Sequence, residues 1–306
     1  MSDTAPTPAA EGDLPSGWRL WILGSRPRTL PAAVVPVAVG AAAARVADSS
    51  DRFSFSAVVL ALVVSLALQV AVNFANDYSD GVRGTDDDRV GPVRLVASGV
   101  PAGRVKWAAL IAFGFAGMAG LVLAVTVSWW LVLIGAVCMA AGWGYTGGPV
   151  PYGYLGLGEV FVFVFFGLVA TVGTTFVAVR SVTVVSLIAG CGVGALACAL
   201  LVVNNLRDRP RDAEVGKRTL AVRLGDRRTR ALYAMLVLGA ALAAVVIAGW
   251  HPGALAALIA VLVARDPLRS MRGGAAGTEL IPVLGATGRV QLVYGLALTI
   301  GLLAAG

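Results

Sequence analysis

Residues 57–80 read AVVLALVVSLALQVAVNFANDYSD. The stretch exceeds the roughly 20 apolar residues a helix needs to cross a bilayer. Ser65, Gln69 and Asn73 interrupt it four residues apart, and Asp77 continues the series. Asn76 and Asp80 form a neighbouring pair at the same spacing. Side chains four apart share one helix face, so the run predicts a membrane helix with a polar stripe that ends in carboxylates. A strand would alternate with period two, and this run does not. A carboxylate at a bilayer boundary is costly unless it has a partner or a task.

The rest of the chain has the same character. Of its 306 residues 58% are hydrophobic and 13% charged, where a soluble domain carries about 25% charged residues. Mean hydropathy is +0.83. Nine candidate spans can be drawn: 30–47, 54–76, 106–126, 129–146, 156–179, 182–205, 229–249, 252–268 and 284–304. Backbone groups in lipid must satisfy one another, so the expected fold is all-α, a polytopic membrane helix bundle of about nine transmembrane helices. The 38 glycines suit close helix packing in lipid. Residues 1–17, rich in Pro and acid with no apolar core, read as a disordered cytoplasmic tail. Residues 18–306 read as one membrane domain.

Lysines and arginines in alternate loops set the orientation. One side receives 21 of the 24, and the other only Arg45, Arg52 and Arg180. The N-terminus and the acidic end of the 57–80 run are thereby expected in the cytoplasm, the C-terminus outside, and the protein in the cell membrane. The pI near 9.8 reflects this bias and does not point to nucleic acid. Cys138, Cys191 and Cys198 all lie in apolar runs and read as small core residues. One histidine, His251 in a turn, makes a zinc site improbable.

A second polar stripe follows the apolar run from Leu187 to Val203: Asn204, Asp208 and Asp212, again four apart. Amide and carboxylate oxygens in two clusters suit a hard divalent cation, and Mg²⁺ prefers a few carboxylates plus phosphate oxygens. Arg83, Arg89, Arg94, Arg207, Arg211, Lys217 and Arg218 lie among the clusters. Such a basic shell suits an anionic diphosphate better than a metal alone. In the turn-rich segment 81–92 Asp86 is favoured over Asp87 and Asp88 as a further ligand. Gly216-Lys217-Arg218-Thr219-Leu220 reads as a phosphate-contacting turn. Tyr145, Tyr152 and Tyr154 line either a pocket for an aromatic acceptor or an interfacial belt. Arg28 reads as a partner for an acceptor carboxylate or as a topology charge, and Glu159 as a helix-end cap or a site acid.

At these residues the chain resembles the UbiA-type intramembrane prenyltransferases, a nine-helix superfamily with aspartate-rich motifs at the cytoplasmic ends of its second and sixth spans. Asn76, Asp77 and Asp80 match the first motif, with Gly84 in place of its last aspartate and Asp86 two positions on. Asp208 and Asp212 match the second, with Gly216 at its third place. Arg26-Pro27-Arg28-Thr29-Leu30-Pro31, Gly144-Tyr145-Thr146-Gly147-Gly148-Pro149, Gly156-Leu157-Gly158-Glu159 and Asn204-Asn205-Leu206-Arg207-Asp208 resemble its MenA branch. That branch comprises the 1,4-dihydroxy-2-naphthoate polyprenyltransferases of menaquinone synthesis.

The resemblance implies transfer of a polyprenyl group from its diphosphate to a dihydroxynaphthoate-type acid, with Mg²⁺ as cofactor. It implies metal ligands among Asn76, Asp77, Asp80, Asp86, Asp208 and Asp212, of which Asp80, Asp208 and Asp212 are catalytic. Arg83, Arg207 and Lys217 would contact phosphate, and Arg28 and Tyr145 the acceptor. Two competing readings are another acceptor, such as 4-hydroxybenzoate, and a cation-coupled secondary transporter. A transporter would place its charges near mid-span on broken helices.

Overall fold

A computed structural model describes residues 17–47, 53–84 and 93–304. The expected tail at 1–17 and Asp86 fall almost wholly or wholly outside these residues. The described residues form helices and turns with no strand. In chain order the helices are α1 (Trp18–Gly24), α2 (Pro31–Ala47), α3 (Phe55–Val82), α4 (Ala102–Thr126), α5 (Trp130–Gly144), α6 (Gly158–Val162), α7 (Ala170–Val179), α8 (Val184–Glu214), α9 (Leu220–Ala248), α10 (Ile259–Val263), α11 (Arg265–Arg272) and α12 (Leu280–Ala304). A π-helical turn at Phe163–Val169 joins α6 to α7 into one rod.

Every predicted span contains helix, but nine full-length spans are not confirmed. Six helical rods among the described residues are long and apolar enough to cross a membrane. A seventh results if Trp18–Thr29 and Pro31–Val46, bent by 49°, count as one. The fourth and eighth predicted spans fall short. Trp130–Gly144 has 15 residues, about 22 Å at 1.5 Å per residue, against a hydrocarbon core of about 30 Å. The eighth ends at Val263, because Arg265, Asp266, Arg269 and Arg272 belong to a separate short helix, α11, with Pro267 in its first turn.

Helix ends also differ from the expected spans in a way that matters for the site. α3 continues to Val82 and α8 to Glu214, so both acidic clusters lie on the last turns of helices rather than in loops. α9 begins at Leu220, nine residues before the predicted start, and is broken at Gly225, where φ is 74°.

The packing follows the sequence chemistry. Val35, Val39, Leu196, Val203, Tyr233, Ile247 and Leu298 form a core shared by α2, α8, α9 and α12. Phe74, Leu95, Val105 and Phe113 form a second one, joining α3 and α4 to the segment after residue 93. Gly167 lets the π-helical turn lie directly on α8. A Cβ there would stand 2.5 Å from the Gly194 Cα. Large apolar residues such as Leu121, Val125, Leu242 and Ile300 face outward, as lipid allows. The exposed Trp107, Trp129, Trp130 and Trp250 sit at or near helix ends, the placement of an aromatic belt. The protein is a multi-pass membrane protein.

A candidate active site at the ends of α3 and α8

The polar stripe of α3 divides into two jobs. Its deeper half is structural. Ser65 Oγ donates to the Ala33 carbonyl at 2.9 Å. The Gln69 and Asn73 side-chain amides both donate to Thr29 Oγ1 at 3.1 Å, and Asn73 also donates to the Ser25 carbonyl at 2.8 Å. These bonds anchor the bend between α1 and α2. Asp77 joins this structural group. Its carboxylate is fully buried and accepts the backbone N–H groups of Leu95 at 2.7 Å and Val96 at 3.2 Å. Gly81, one turn on, makes room for that segment, since a Cβ there would lie 2.5 Å from Val96.

Asp80 is the meeting point. The residue is only 3% exposed. The Tyr154 hydroxyl donates to Oδ1 at 3.0 Å. Lys217 Nζ stands 3.6 Å from Oδ1, and an Arg94 guanidinium nitrogen 3.6 Å from Oδ2. Lys217 Nζ also lies 4.4 Å from the centre of the Tyr154 ring, a cation–π contact. Burial pushes the Tyr154 phenol above its usual range, Asp80 adds to that, and Lys217 opposes it. Asn76 accepts a 2.7 Å hydrogen bond from the Thr146 hydroxyl. Arg83 donates to the carbonyls of Thr146 and Gly148. Thus α3, the 145–157 segment and the 215–219 turn close around one carboxylate.

The second cluster adjoins it through that turn. Arg207 grips Asp208 with Nε at 2.7 Å and a terminal nitrogen at 2.9 Å, and also donates to Asn204 Oδ1 at 2.9 Å. The Lys217 N–H donates to the Asp212 carbonyl at 2.7 Å, and the Arg218 N–H to the Tyr154 carbonyl at 2.9 Å. Gly216, with φ of 76°, turns the chain between them. Deeper in the bundle, Asn205 donates to Glu159 Oε1 at 2.9 Å.

Of the residues singled out in the sequence, Asn76, Asp80, Arg83, Arg94 and Lys217 share this assembly, with Arg207, Asp208 and Asp212 beside it. Arg28 is exposed on the Pro27–Thr29 turn. Tyr145 packs edge-on to Tyr152 with ring centres 5.5 Å apart. Tyr152 stacks on Phe161 and donates to the Ala141 carbonyl at 2.8 Å, a packing role. Tyr154, in contrast, faces the cluster. Thr146 and Asn205 escaped the sequence reading, apart from their place in motif-like segments, and Glu159, read as a helix-end cap or a site acid, gave no sign of its pairing with Asn205.

Among the described residues no three His, Cys, Asp or Glu side chains gather closely enough to hold a metal alone. The oxygens of Asn76 and Asp80, and of Asp208 and Asp212, nonetheless suit Mg²⁺. That ion takes one or two protein carboxylates and completes its octahedron with water and substrate phosphate.

Comparison with known proteins agrees with this geometry. The model of the UbiA prenyltransferase family matches residues 33–265. The 1,4-dihydroxy-2-naphthoate octaprenyltransferase of Mycobacterium tuberculosis is 48% identical over 94% of this chain and 97% of its own length. The apo UbiA homolog of Aeropyrum pernix superposes with a TM-score of 0.72 at 13% identity, covering 90% of this chain and 98% of the other. A UbiA homolog of Archaeoglobus fulgidus bound to GPP and Mg²⁺ does so with 0.64 at 15% identity, over 92% and 99%. A family match spanning most of the helical domain, with a relative similar from end to end, decides the matter: the chain belongs to the UbiA prenyltransferase family.

Proposed function

We propose that the protein transfers a polyprenyl group from polyprenyl diphosphate to 1,4-dihydroxy-2-naphthoate, with loss of the ring carboxyl as CO₂, giving demethylmenaquinol, the reduced form of demethylmenaquinone. It acts as one domain over residues 18–306 of the cell membrane protein, with the site and N-terminus in the cytoplasm and the C-terminus outside. The observation that carries the reading is the 3.6 Å approach of Lys217 to Asp80. It draws two acidic helix ends, 128 positions apart from Asp80 to Asp208, into one basic-rimmed site.

Bound Mg²⁺ would supply positive charge against the diphosphate oxygens, with Asn76 and Asp80 holding one ion and Asp208 and Asp212 another. Asp77 is not assigned to either, because both its oxygens serve the backbone of Leu95 and Val96. Lys217, Arg83 and Arg207 are assigned to the phosphate oxygens, and Arg94, 3.6 Å from Asp80, adds charge. Preorganised cations of this kind stabilise negative charge as it develops. The C1–O bond of the prenyl donor breaks, and its electron pair leaves with the diphosphate. The ring carbon bearing the carboxyl attacks C1. The pair of the ring–carboxyl bond then returns to the ring as CO₂ departs. The apolar bundle beneath the site accommodates the prenyl chain and keeps water from the allylic cation. Tyr145 and Arg28 are assigned to the acceptor side.

Asp80→Asn and Asp208→Asn test this. In membranes supplied with Mg²⁺, polyprenyl diphosphate and the naphthoate, each should lower turnover by roughly 100-fold or more. Near-normal product from both variants would overturn the reading.

A further inference from the structure

Glu159 is a buried carboxyl at the start of a membrane-crossing rod, only 7% exposed. Its Oε1 takes the Asn205 amide at 2.9 Å. Its Oε2 is buried without a hydrogen-bond partner among the described residues. Nothing in the diphosphate site uses it. A buried carboxyl oxygen left unmatched in a membrane domain is costly, so a purely structural clamp is better made by an amide pair.

Its place tells what would match it. Asn205 precedes Asp208 by one turn of α8, so Glu159 lies roughly 5 Å deeper in the bundle than that carboxylate. Tyr145 closes the same space from above. A Cβ on Gly158 would lie 3.4 Å from the Tyr145 hydroxyl oxygen. The Cys198 thiol donates to the Glu159 carbonyl at 3.0 Å and fixes this corner of α6 to α8. The acceptor ring must lie just under the diphosphate to reach the donor's C1. A dihydroxy aromatic acid brings phenolic O–H donors into this apolar zone, and each needs an acceptor.

We propose that Glu159 Oε2 accepts a hydrogen bond from a phenolic hydroxyl of the aromatic acceptor, with Asn205 holding the carboxyl in aim. The inference rests on the prenyl transfer proposed above. Its consequence is selectivity. A site that offers a buried oxygen to a hydroxyl discriminates against acids lacking that hydroxyl, because the oxygen would stay unmatched. The same bond draws electron density toward the ring carbon that attacks.

The full-length protein in lipid nanodiscs, with Mg²⁺ and geranylgeranyl diphosphate, is assayed with 1,4-dihydroxy-2-naphthoate and with its two monohydroxy analogues. Glu159→Gln preserves volume and the Asn205 contact. It should lower kcat/KM for the dihydroxy acid by about 10- to 100-fold, with the donor KM within about twofold of wild type. The wild type should strongly disfavour the analogue lacking the contacted hydroxyl, and E159Q should lose most of that preference. Glu159→Asp should regain part of the acceptor constant, and it carries the test if E159Q does not fold. Unchanged acceptor constants, or donor and acceptor constants moving together, overturn the assignment. Wild-type protein that prenylates other aromatic acids but no naphthoate would instead remove the reaction on which the assignment rests.

Discussion

At the scale of single residues, two aspartates three positions apart have different work. Asp77 serves the backbone of Leu95 and Val96, and Asp80 collects Tyr154, Lys217 and Arg94. Asp77→Ala should cost about 1–3 kcal/mol, because two buried N–H groups lose a charged acceptor. Thermal unfolding in detergent measures that, while turnover of the folded fraction should survive. Asp80→Asn should do the reverse, sparing stability and removing turnover. Lys217→Ala should raise the KM for the prenyl donor by about 10-fold and leave the acceptor KM alone. An unchanged donor KM argues against its phosphate role. Tyr154→Phe isolates one hydrogen bond worth about 1 kcal/mol. The Tyr154 pKa is raised in the folded protein, so the bond's contribution is complete below the unfolded value near 10. It is lost only as pH rises through the raised value. The stability difference between wild type and Tyr154→Phe, measured by thermal unfolding in detergent, should therefore be flat from about pH 6 to about pH 9. The sequence made Asp80 and Lys217 legible as candidates. It did not separate Asp77 from Asp80, because residues three apart on a helix diverge by direction, and only the neighbouring segment shows what each one meets.

At the scale of elements, the period of four in Ser65, Gln69 and Asn73 put these side chains on one helix face, and the structure turns that face into the bundle, where it binds the bend at Ser25 and Thr29. Asn73→Leu should destabilise the fold by about 1–3 kcal/mol, leaving the Ser25 carbonyl without its Asn73 donor. Its signature is a lower melting temperature, with donor KM unchanged in surviving protein. The ends of α3 and α8 were harder to read. Apolar counting stops where charge begins, yet hydrogen bonding carries both helices beyond the last apolar turn, to Val82 and Glu214. The π-helical turn at Phe163–Val169 left no sequence signal beyond Gly167. Gly167→Ala should push that turn off α8, since its Cβ would fall 2.5 Å from Gly194. Size-exclusion profiles and melting in detergent should show the loss.

At the scale of the whole molecule, the sequence by itself determined the class. Apolar runs of span length force helices, because lipid offers backbone groups no other partner. The skew of 21 basic residues to 3 fixes an expected orientation, and a reporter fused after Gly306 should read outside the cytoplasm. A cytoplasmic signal would reverse that topology. The sequence also paired the two acidic stripes, since their spacing and basic neighbours repeat. Span number, in contrast, depended on the tertiary structure. The 130–144 and 252–263 segments are apolar but shorter, and the second gives way directly to the charged helix α11. The tertiary structure alone decided that Asp80 and Lys217 meet, that Tyr154 joins them, and that Glu159 faces Asn205 across the bundle. The physical reason is the range of each signal. Burial and backbone satisfaction are local and leave a periodic mark in the chain. A contact between residues 137 positions apart, as between Asp80 and Lys217, depends on how whole helices pack, and no spacing within either segment encodes it.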